Sequence, residues 1–169
     1  STLKDEVKKN FPIGDVTFGN INLAEFGVVY PEGADLLTEY AALNLVDYIE
    51  INMGITLDVY SDSEDAREHE FLVGETNRPE SDIAVYFDDG EYLLMQNEGK
   101  IVMQGEGIYV GAAVGAFISD YLESGDEKVS LDAIPTDVIT EYYVPADYCS
   151  NVILMIGDGM GFNHINMAL

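Results

Sequence analysis

The chain has 169 residues, 47% of them hydrophobic, which predicts one ordinary folded domain with a real core and excludes wholesale disorder. Its 32 acidic and 7 basic side chains give a formal net charge of −25. Such a surface repels the phosphate backbones of nucleic acids and anionic lipid headgroups. No apolar run reaches the length of a membrane span. Cys149 has no second cysteine with which to form an intrachain disulfide.

The first 60 residues predict a strand–helix–strand unit after a short charged helix and a Pro- and Gly-containing loop. The β-branched and aromatic run Glu25–Tyr30 predicts a buried strand. Apolar residues recur at helical spacing over Leu37–Asn52, behind a candidate cap at Asp35, and Gly54 is expected to end that helix. A second strand at Ile55–Tyr60 completes a crossover unit, which predicts parallel pairing of the two strands.

The next segment predicts a third strand and a hairpin. Glu70–Gly74 is the third strand, and Glu91–Gln96 and Ile101–Gly105 flank a Gly-containing turn. Residues 83–90 fit either a strand or a short helix. The acidic loop before the third strand lacks the spacing of a calcium loop, and we expect His69 within it to be exposed.

A second helix is predicted at Gly107–Ser124. One of its faces is apolar and comprises Val110, Val114, Phe117, Ile118 and Tyr121. Gly111 and Gly115 are expected to allow close packing against the sheet. The predicted fold class is therefore α+β, a mixed sheet with two main helices on one face.

This part of the chain resembles the non-catalytic N-terminal α+β domain of β-hexosaminidases and α-glucuronidases. The shared order is strand, long helix, strand, a G-x-T-N-R-P-E stretch and a hairpin before a second helix. Here the distinctive stretch is GETNRPE at Gly74–Glu80. The resemblance covers residues 24–122 and implies an accessory structural module. We expect Arg78 to be held by loop carboxylates and carbonyls instead of taking part in chemistry.

The chain ends in NVILMIGDGMGFNHINMAL, which predicts a strand, a glycine turn and the start of a helix. The unbroken apolar run Asn151–Gly157 is typical of a central strand. A dinucleotide-binding fingerprint would require Gly or Ala at Phe162, so that type of site is excluded. Asp158 would repel a pyrophosphate but would attract a metal cation at the carboxyl end of the strand.

The stretch NVILMIGDGMG is very similar to the opening strand and metal-binding turn of the alkaline phosphatase family. The resemblance implies that Asp158 is one ligand of a metal cluster, commonly two zinc ions and a magnesium ion, and that Gly157, Gly159 and Gly161 shape the backbone of the turn. His164 matches no ligand of the family.

The catalytic nucleophile is not assigned to any residue of the chain. In the alkaline phosphatase family the Ser or Thr nucleophile and the other metal ligands follow this turn, so we expect them downstream of Leu169. The resemblance therefore implies that the 169-residue chain alone is inactive and holds no metal stably.

We therefore predict four regions: an N-terminal extension (residues 1–23, with a short helix at Leu3–Lys9), an accessory domain (24–124), a connector (125–150, with one strand at Val138–Val144) and the truncated start of an α/β phosphatase domain (151–169). The predicted function is that of an N-terminal fragment of a metal-dependent phosphomonoester hydrolase, with a phosphate ester as the substrate of the parent protein. A secreted or extracytoplasmic location is implied by the resemblance alone.

Two alternatives stay open. The first is a non-catalytic carbohydrate-associated or protein-interaction module, in which exposed tyrosines would supply an aromatic platform. The second is a small metal-binding protein with Asp158 as its solitary site. Under the main prediction too, Val152–Ile156 exposed on its own would be an aggregation edge. It must therefore be disordered, fold back onto the sheet of the first domain or pair with a second copy, and we expect one of the last two.

Overall fold

The structure, a computed structural model, describes residues 16–123 and 129–145. Its strands and helices are, in chain order, β1 (Val16–Phe18), β2 (Ile21–Asn22), β3 (Gly27–Tyr30), α1 (Leu36–Met53), β4 (Val59–Ser61), β5 (Glu70–Val73), β6 (Glu91–Asn97), β7 (Lys100–Gly105), α2 (Tyr109–Phe117), β8 (Val129–Ser130) and β9 (Thr140–Tyr142). The predicted helix at Leu3–Lys9 lies outside the described residues.

The main sheet is mixed, which confirms the predicted α+β class. Its strand order is β4-β3-β5-β7-β6-β9, and the first four strands run parallel to one another. β6 is antiparallel to both of its neighbours. The crossover from β3 through α1 to β4 joins parallel strands, as the sequence predicted.

Helix α1 is one residue longer at each end than the predicted Leu37–Asn52, but its predicted cap and its predicted terminating glycine are both present, because both signals are local. The Asp35 carboxylate accepts a hydrogen bond of 2.8 Å from the Thr38 backbone N–H, which satisfies one free donor of the first turn. Gly54 adopts the left-handed conformation, with φ of 68°, and its N–H closes the last turn on the Glu50 carbonyl.

Both helices cover the same face of the sheet. Phe71 on β5 contacts Phe26, with ring centroids 4.5 Å apart, and Phe117 of α2, with ring centroids 5.3 Å apart. The opposite face carries a second apolar layer from β3, β5, β6 and β7, with Phe87 packed against it from the loop before β6. This second face therefore depends on a loop for its cover.

That covering loop, residues 83–90, is neither the strand nor the helix considered from the sequence. Ile83, Val85 and Phe87 alternate as strand residues would, and all three pack on the sheet. The N–H groups of Ile83 and Val85, however, bond to carbonyls two residues earlier in the chain. The alternation therefore reflects an extended cover on the face of the sheet and not a paired strand.

The predicted hairpin is present, with a two-residue turn at Glu98 and Gly99. Asn97 pairs with Lys100, and both turn residues have positive φ, 47° and 85°. Positive φ at both central positions matches the right-handed twist of the flanking strands. Glycine adopts this conformation readily, whereas glutamate is strained in it.

Helix α2 buries Val110, Val114 and Phe117, as predicted, and continues into one π-helical turn over Ile118–Leu122. The close-packing role predicted for Gly111 and Gly115 is wrong, because a Cβ added at either position meets no atom of the described residues within 4 Å. The apolar face of α2 meets the sheet, and these glycines lie on another face.

Close packing at this helix instead requires Gly105, at the end of β7. A Cβ there would lie 2.6 Å from the carbonyl carbon of Tyr109. The clash is with backbone, which no side-chain rotation relieves. Gly105 therefore lets β7 end directly beneath the first turn of α2.

Residues of the predicted extension and connector pack onto this domain. β1 pairs with β2 and with β8 in a small three-stranded sheet, and the Gly19 N–H bonds to the Asp132 carboxylate. Leu131 and Ile134 are buried in the main core. β9 lies within the strand predicted at Val138–Val144 and pairs with β6.

Candidate functional site

The metal-binding turn predicted from the sequence lies outside residues 16–123 and 129–145. It comprises Asp158 and the glycines Gly157, Gly159 and Gly161. Leu169, downstream of which we expect the nucleophile and the remaining ligands, also lies outside the described residues. The location of the nucleophile therefore stays a prediction, as does the role of Asp158, and His164 in the same stretch keeps no assignment.

Within the described ranges, no three His, Cys, Asp or Glu side chains are arranged to hold a metal ion. In the same part of the chain, no helix combines the length and apolar character that a membrane crossing requires. The described domain offers two other features, a buried charged cluster and an open groove.

The charged cluster is centred on Glu70, the first residue of β5, whose side chain is 0% exposed. Register places Glu70 beside Lys100, because Phe71 pairs with Ile101. The Lys100 ammonium lies 2.7 Å from the Glu70 carboxylate, and the Tyr60 hydroxyl donates a hydrogen bond of 3.1 Å to the same carboxylate. Charges at this depth require such partners, since desolvation penalises an unpaired ion by several kcal/mol.

Arg78 completes the cluster from the GETNRPE loop. Its guanidinium makes two contacts of 3.3 Å with the Glu70 carboxylate. It also donates to the carbonyls of Asp62 and Glu64 and to the side chain of Asn77, at 2.8–3.0 Å. These five contacts occupy the five donors of the guanidinium. The prediction that loop carbonyls hold Arg78 is confirmed, but the carboxylate that binds it belongs to Glu70, in strand β5 and not in a loop.

The electrostatics of the cluster favour the ionised form of Glu70. Burial alone would raise the pKa of its carboxyl group. Hydrogen bonds from Lys100, from the Arg67 backbone N–H and from Arg78 outweigh burial, so the pKa of Glu70 is lowered. Burial, together with the neighbouring Glu70 charge, raises the pKa of the Tyr60 hydroxyl far above its usual value, so this group stays protonated as a donor.

The cluster ties the loop before β5 and the loop after it to the sheet. Asp62 accepts hydrogen bonds from the backbone N–H groups of Glu32 and Asn77, at 2.7 and 2.6 Å. The hydroxyls of Thr76 and Ser81 lie 2.6 Å apart. These bonds hold the two loops in place. At the edge of the cluster, one oxygen of the Glu80 carboxylate lies 3.6 Å from the Lys100 ammonium and, among the described residues, is buried without a hydrogen-bond partner.

His69, which we predicted to be exposed, is partly buried. Its ring lies against Phe26, with centroids 5.6 Å apart. Its neighbours in sequence are charged, but as the residue before β5 it is carried to the edge of the core. The prediction that His69 is exposed, made from its charged neighbours in sequence, is therefore wrong.

The second feature is a groove of about 570 Å³ between α2 and the segment that contains β9. Gly111, Gly115 and neighbouring small residues of α2 form one wall. Tyr142, Tyr143 and Val144 form the other. Tyr92 and Tyr109 also contribute to the lining, so we call this feature the tyrosine groove.

Burial and acidic neighbours raise the pKa of two tyrosines of the tyrosine groove above the usual value. The Tyr92 hydroxyl donates to the Glu141 carboxylate at 3.0 Å, and burial together with this bond raises the pKa of Tyr92 to about 12. The Glu91 charge raises the pKa of Tyr142. Neutral aromatic rings beside carboxylates suit apolar or hydroxyl-bearing ligands and disfavour anions.

Sequence reasoning missed both features in part. The Glu70–Lys100 pair depends on strand register, although two charged residues that each open a buried strand were a usable signal. The tyrosine groove brings together tyrosines from β6, α2 and β9, which are distant in sequence. No protein-family model matches the chain, and no curated protein matches it either.

Proposed function

We propose that this chain belongs to an alkaline-phosphatase-like, metal-dependent phosphomonoester hydrolase, in which residues 24–124 form a non-catalytic accessory domain. The observation that carries the proposal is the stretch NVILMIGDGMG, with Asp158 between glycines directly after an apolar strand. The described domain is consistent with an accessory role, because its deeply buried charges of Glu70, Arg78 and Lys100 are bonded to one another.

The implied cofactors are zinc and magnesium, which in such an enzyme polarise the ester and activate the nucleophile. Asp158 would supply one carboxylate ligand. The described residues offer no cluster that could complete the site, so the remaining ligands would have to come from outside residues 16–123 and 129–145. One carboxylate cannot assemble a metal cluster, so activity would require further ligands besides Asp158.

The direct test is hydrolysis of p-nitrophenyl phosphate by the full-length protein encoded by the gene, with zinc and magnesium supplied. We expect Asp158→Asn to lower the rate about 100-fold or more and to lower the bound metal, because the variant removes a charged ligand. Asp47→Asn, at an exposed position of α1, is the matched control. Unchanged activity and metal content in Asp158→Asn would overturn the proposal.

A second candidate is a carbohydrate-associated or protein-interaction module. It is favoured by the tyrosine groove, where Tyr142 is 60% and Tyr143 is 47% exposed. Aromatic faces can stack on sugar rings, and the neighbouring carboxylates can accept hydrogen bonds from sugar hydroxyls. Calorimetric titration with oligosaccharides should then show binding that Tyr143→Ala abolishes, whereas absence of heat across a range of neutral glycans would count against the carbohydrate form.

A further inference from the structure

The tyrosine groove runs along α2 and is long enough for a segment of extended chain. Its helical wall reaches from Ile108, just before α2, to Asp120, in the π-helical turn that follows. At 1.5 Å of rise per residue, this distance is about 18 Å. An extended chain of about five residues spans the same distance. The groove therefore has the dimensions of a short peptide segment.

The groove concentrates exposed apolar and aromatic surface. Val144 is 78% exposed, Tyr142 60% and Ile108 59%, and all three line it. On the opposite wall, a Cβ added at Gly111 or Gly115 meets no atom of the described residues within 4 Å, so this wall is low and open. Contiguous apolar surface of this kind on a highly charged protein marks a contact site.

Carboxylates accompany the tyrosine rings at both ends of the groove. Asp120 lines one end. The Tyr92 hydroxyl donates a hydrogen bond of 3.0 Å to the Glu141 carboxylate. At the other end, the charge of Asp89 raises the pKa of Tyr109, because the carboxylate lies close to that hydroxyl. The groove therefore offers aromatic faces within a negative field.

None of the basic side chains in residues 16–123 and 129–145 neutralises these carboxylates. Those basic residues are Arg67, Arg78 and Lys100. Arg78 and Lys100 bond to Glu70, and Arg67 pairs with Asp58. Uncompensated charge in a cleft with low-dielectric walls focuses the potential there and raises the local concentration of cations.

We infer that the tyrosine groove binds a basic, extended segment of a partner protein, whose arginine or lysine side chains lie over its tyrosine rings and beside its carboxylates. A cation over an aromatic face is attracted by the ring quadrupole, and carboxylates accept charge-assisted hydrogen bonds from guanidinium and ammonium groups.

Other occupants suit the groove less well. A second copy would add to a net charge of −25, and a neutral glycan would leave the charge of the carboxylates unused. A metal ion would need three ligands that, within the described ranges, are nowhere grouped. The inference rests on the protein-interaction form of the second candidate function and names the chemistry of the partner. It requires neither metal nor catalysis, so failure of the hydrolase proposal and failure of this inference are separate results.

The first test is calorimetric titration of the full-length protein with the capped pentapeptide GRGRG. Its control is the same peptide with citrulline, the neutral isostere of arginine, at both arginine positions. We expect GRGRG to bind at least about tenfold more tightly, because the two peptides differ chiefly in charge. Equal binding of the two peptides, or no heat from GRGRG at millimolar concentration, would overturn the inference.

The second test locates the binding. Tyr142→Ala and Asp120→Asn should each weaken GRGRG binding about fivefold, since each removes one cation contact. The matched controls are Tyr40→Ala, at a 58% exposed position of α1, and Asp47→Asn, also exposed on α1; neither residue lines the groove. We expect the controls to bind within about twofold of the unsubstituted protein. Equal weakening in the controls would show diffuse attraction to the acidic surface and would refute the groove as the site.

A third variant blocks the groove without changing its charge. Gly115→Leu places a bulky side chain on the α2 wall and should weaken GRGRG binding about tenfold, whereas Asn44→Leu, at an exposed position of α1, should not. Circular dichroism of each variant checks that the fold is kept. Full binding by a folded Gly115→Leu variant would contradict the inference, as would displacement of GRGRG by a neutral oligosaccharide that binds more tightly.

Discussion

Replacing Arg78 by alanine would leave the Glu70 carboxylate buried without one of its two cationic partners. The variant loses two contacts of 3.3 Å with Glu70 and the bonds to the carbonyls of Asp62 and Glu64. Removing one member of a buried ion pair costs about 3–5 kcal/mol, because the remaining charge stays desolvated. We therefore expect the free energy of unfolding to fall by about 4 kcal/mol and Tm by about 10 °C.

The measurement is urea and thermal unfolding followed by circular dichroism at neutral pH. Arg67→Ala is the control, because Arg67 pairs with Asp58 at 2.7 Å where the two side chains are 43% and 73% exposed. This variant also removes the guanidinium that lies 4.0 Å from the Tyr60 ring centroid, a contact of about 0.5–1 kcal/mol. Exposed pairs contribute about 0–1 kcal/mol. Arg78→Lys should fall between the two, since lysine keeps the charge but not the planar set of donors. Equal losses for Arg78→Ala and Arg67→Ala would refute the structural role assigned to the cluster.

Three further predictions concern single positions. Because the pKa of Glu70 is lowered in the folded state, its ionisation stabilises the protein above the unfolded pKa of about 4.3, and this contribution is lost as the pH falls. Between pH 7 and pH 3, the urea midpoint of Glu70→Gln should therefore drop less than that of the unsubstituted protein, and an equal drop would contradict this. Gly105→Ala should lower the free energy of unfolding by about 3 kcal/mol through its backbone clash, whereas Gly33→Ala, where only the positive φ is strained, should lower it by about 1 kcal/mol. Similar losses for the two variants in chemical unfolding would show that the clash relaxes. Glu98→Asn should raise stability by about 0.5 kcal/mol, because asparagine tolerates the positive φ before Gly99 better than glutamate, and a lower Tm would count against that reasoning.

The parts of the fold that were predicted correctly rest on local signals. Asp35 and Gly54 fix the ends of α1 through hydrogen bonds within one turn, and the hairpin turn follows from Gly99 between two strand patterns. The packing of Gly111 and Gly115 depends on a distant surface, and that prediction was wrong. Helical periodicity identifies the apolar face of α2, but it cannot say whether Gly111 and Gly115 meet the sheet or open space.

In the candidate sites, too, some contacts could be predicted from the sequence and others could not. Arg78 was correctly expected to be held by loop groups, because a guanidinium among carboxylates and carbonyls has few other outcomes. The carboxylate that it binds, Glu70, is held beside Lys100 by strand register, which a sequence pattern does not reveal. The role of Asp158 in binding metal stays a prediction, since it rests on a resemblance and on residues outside the described domain.

The order of the main sheet has a consequence for synthesis on the ribosome. β6 receives its outer partner only when β9 is made, and Thr140 pairs with Leu93, far earlier in the chain. At about 5–20 residues per second, the 45 residues after Asn97 take roughly 2–9 s to emerge. For that interval the nascent domain exposes an unpaired β6 edge, which can recruit a chaperone or another growing chain.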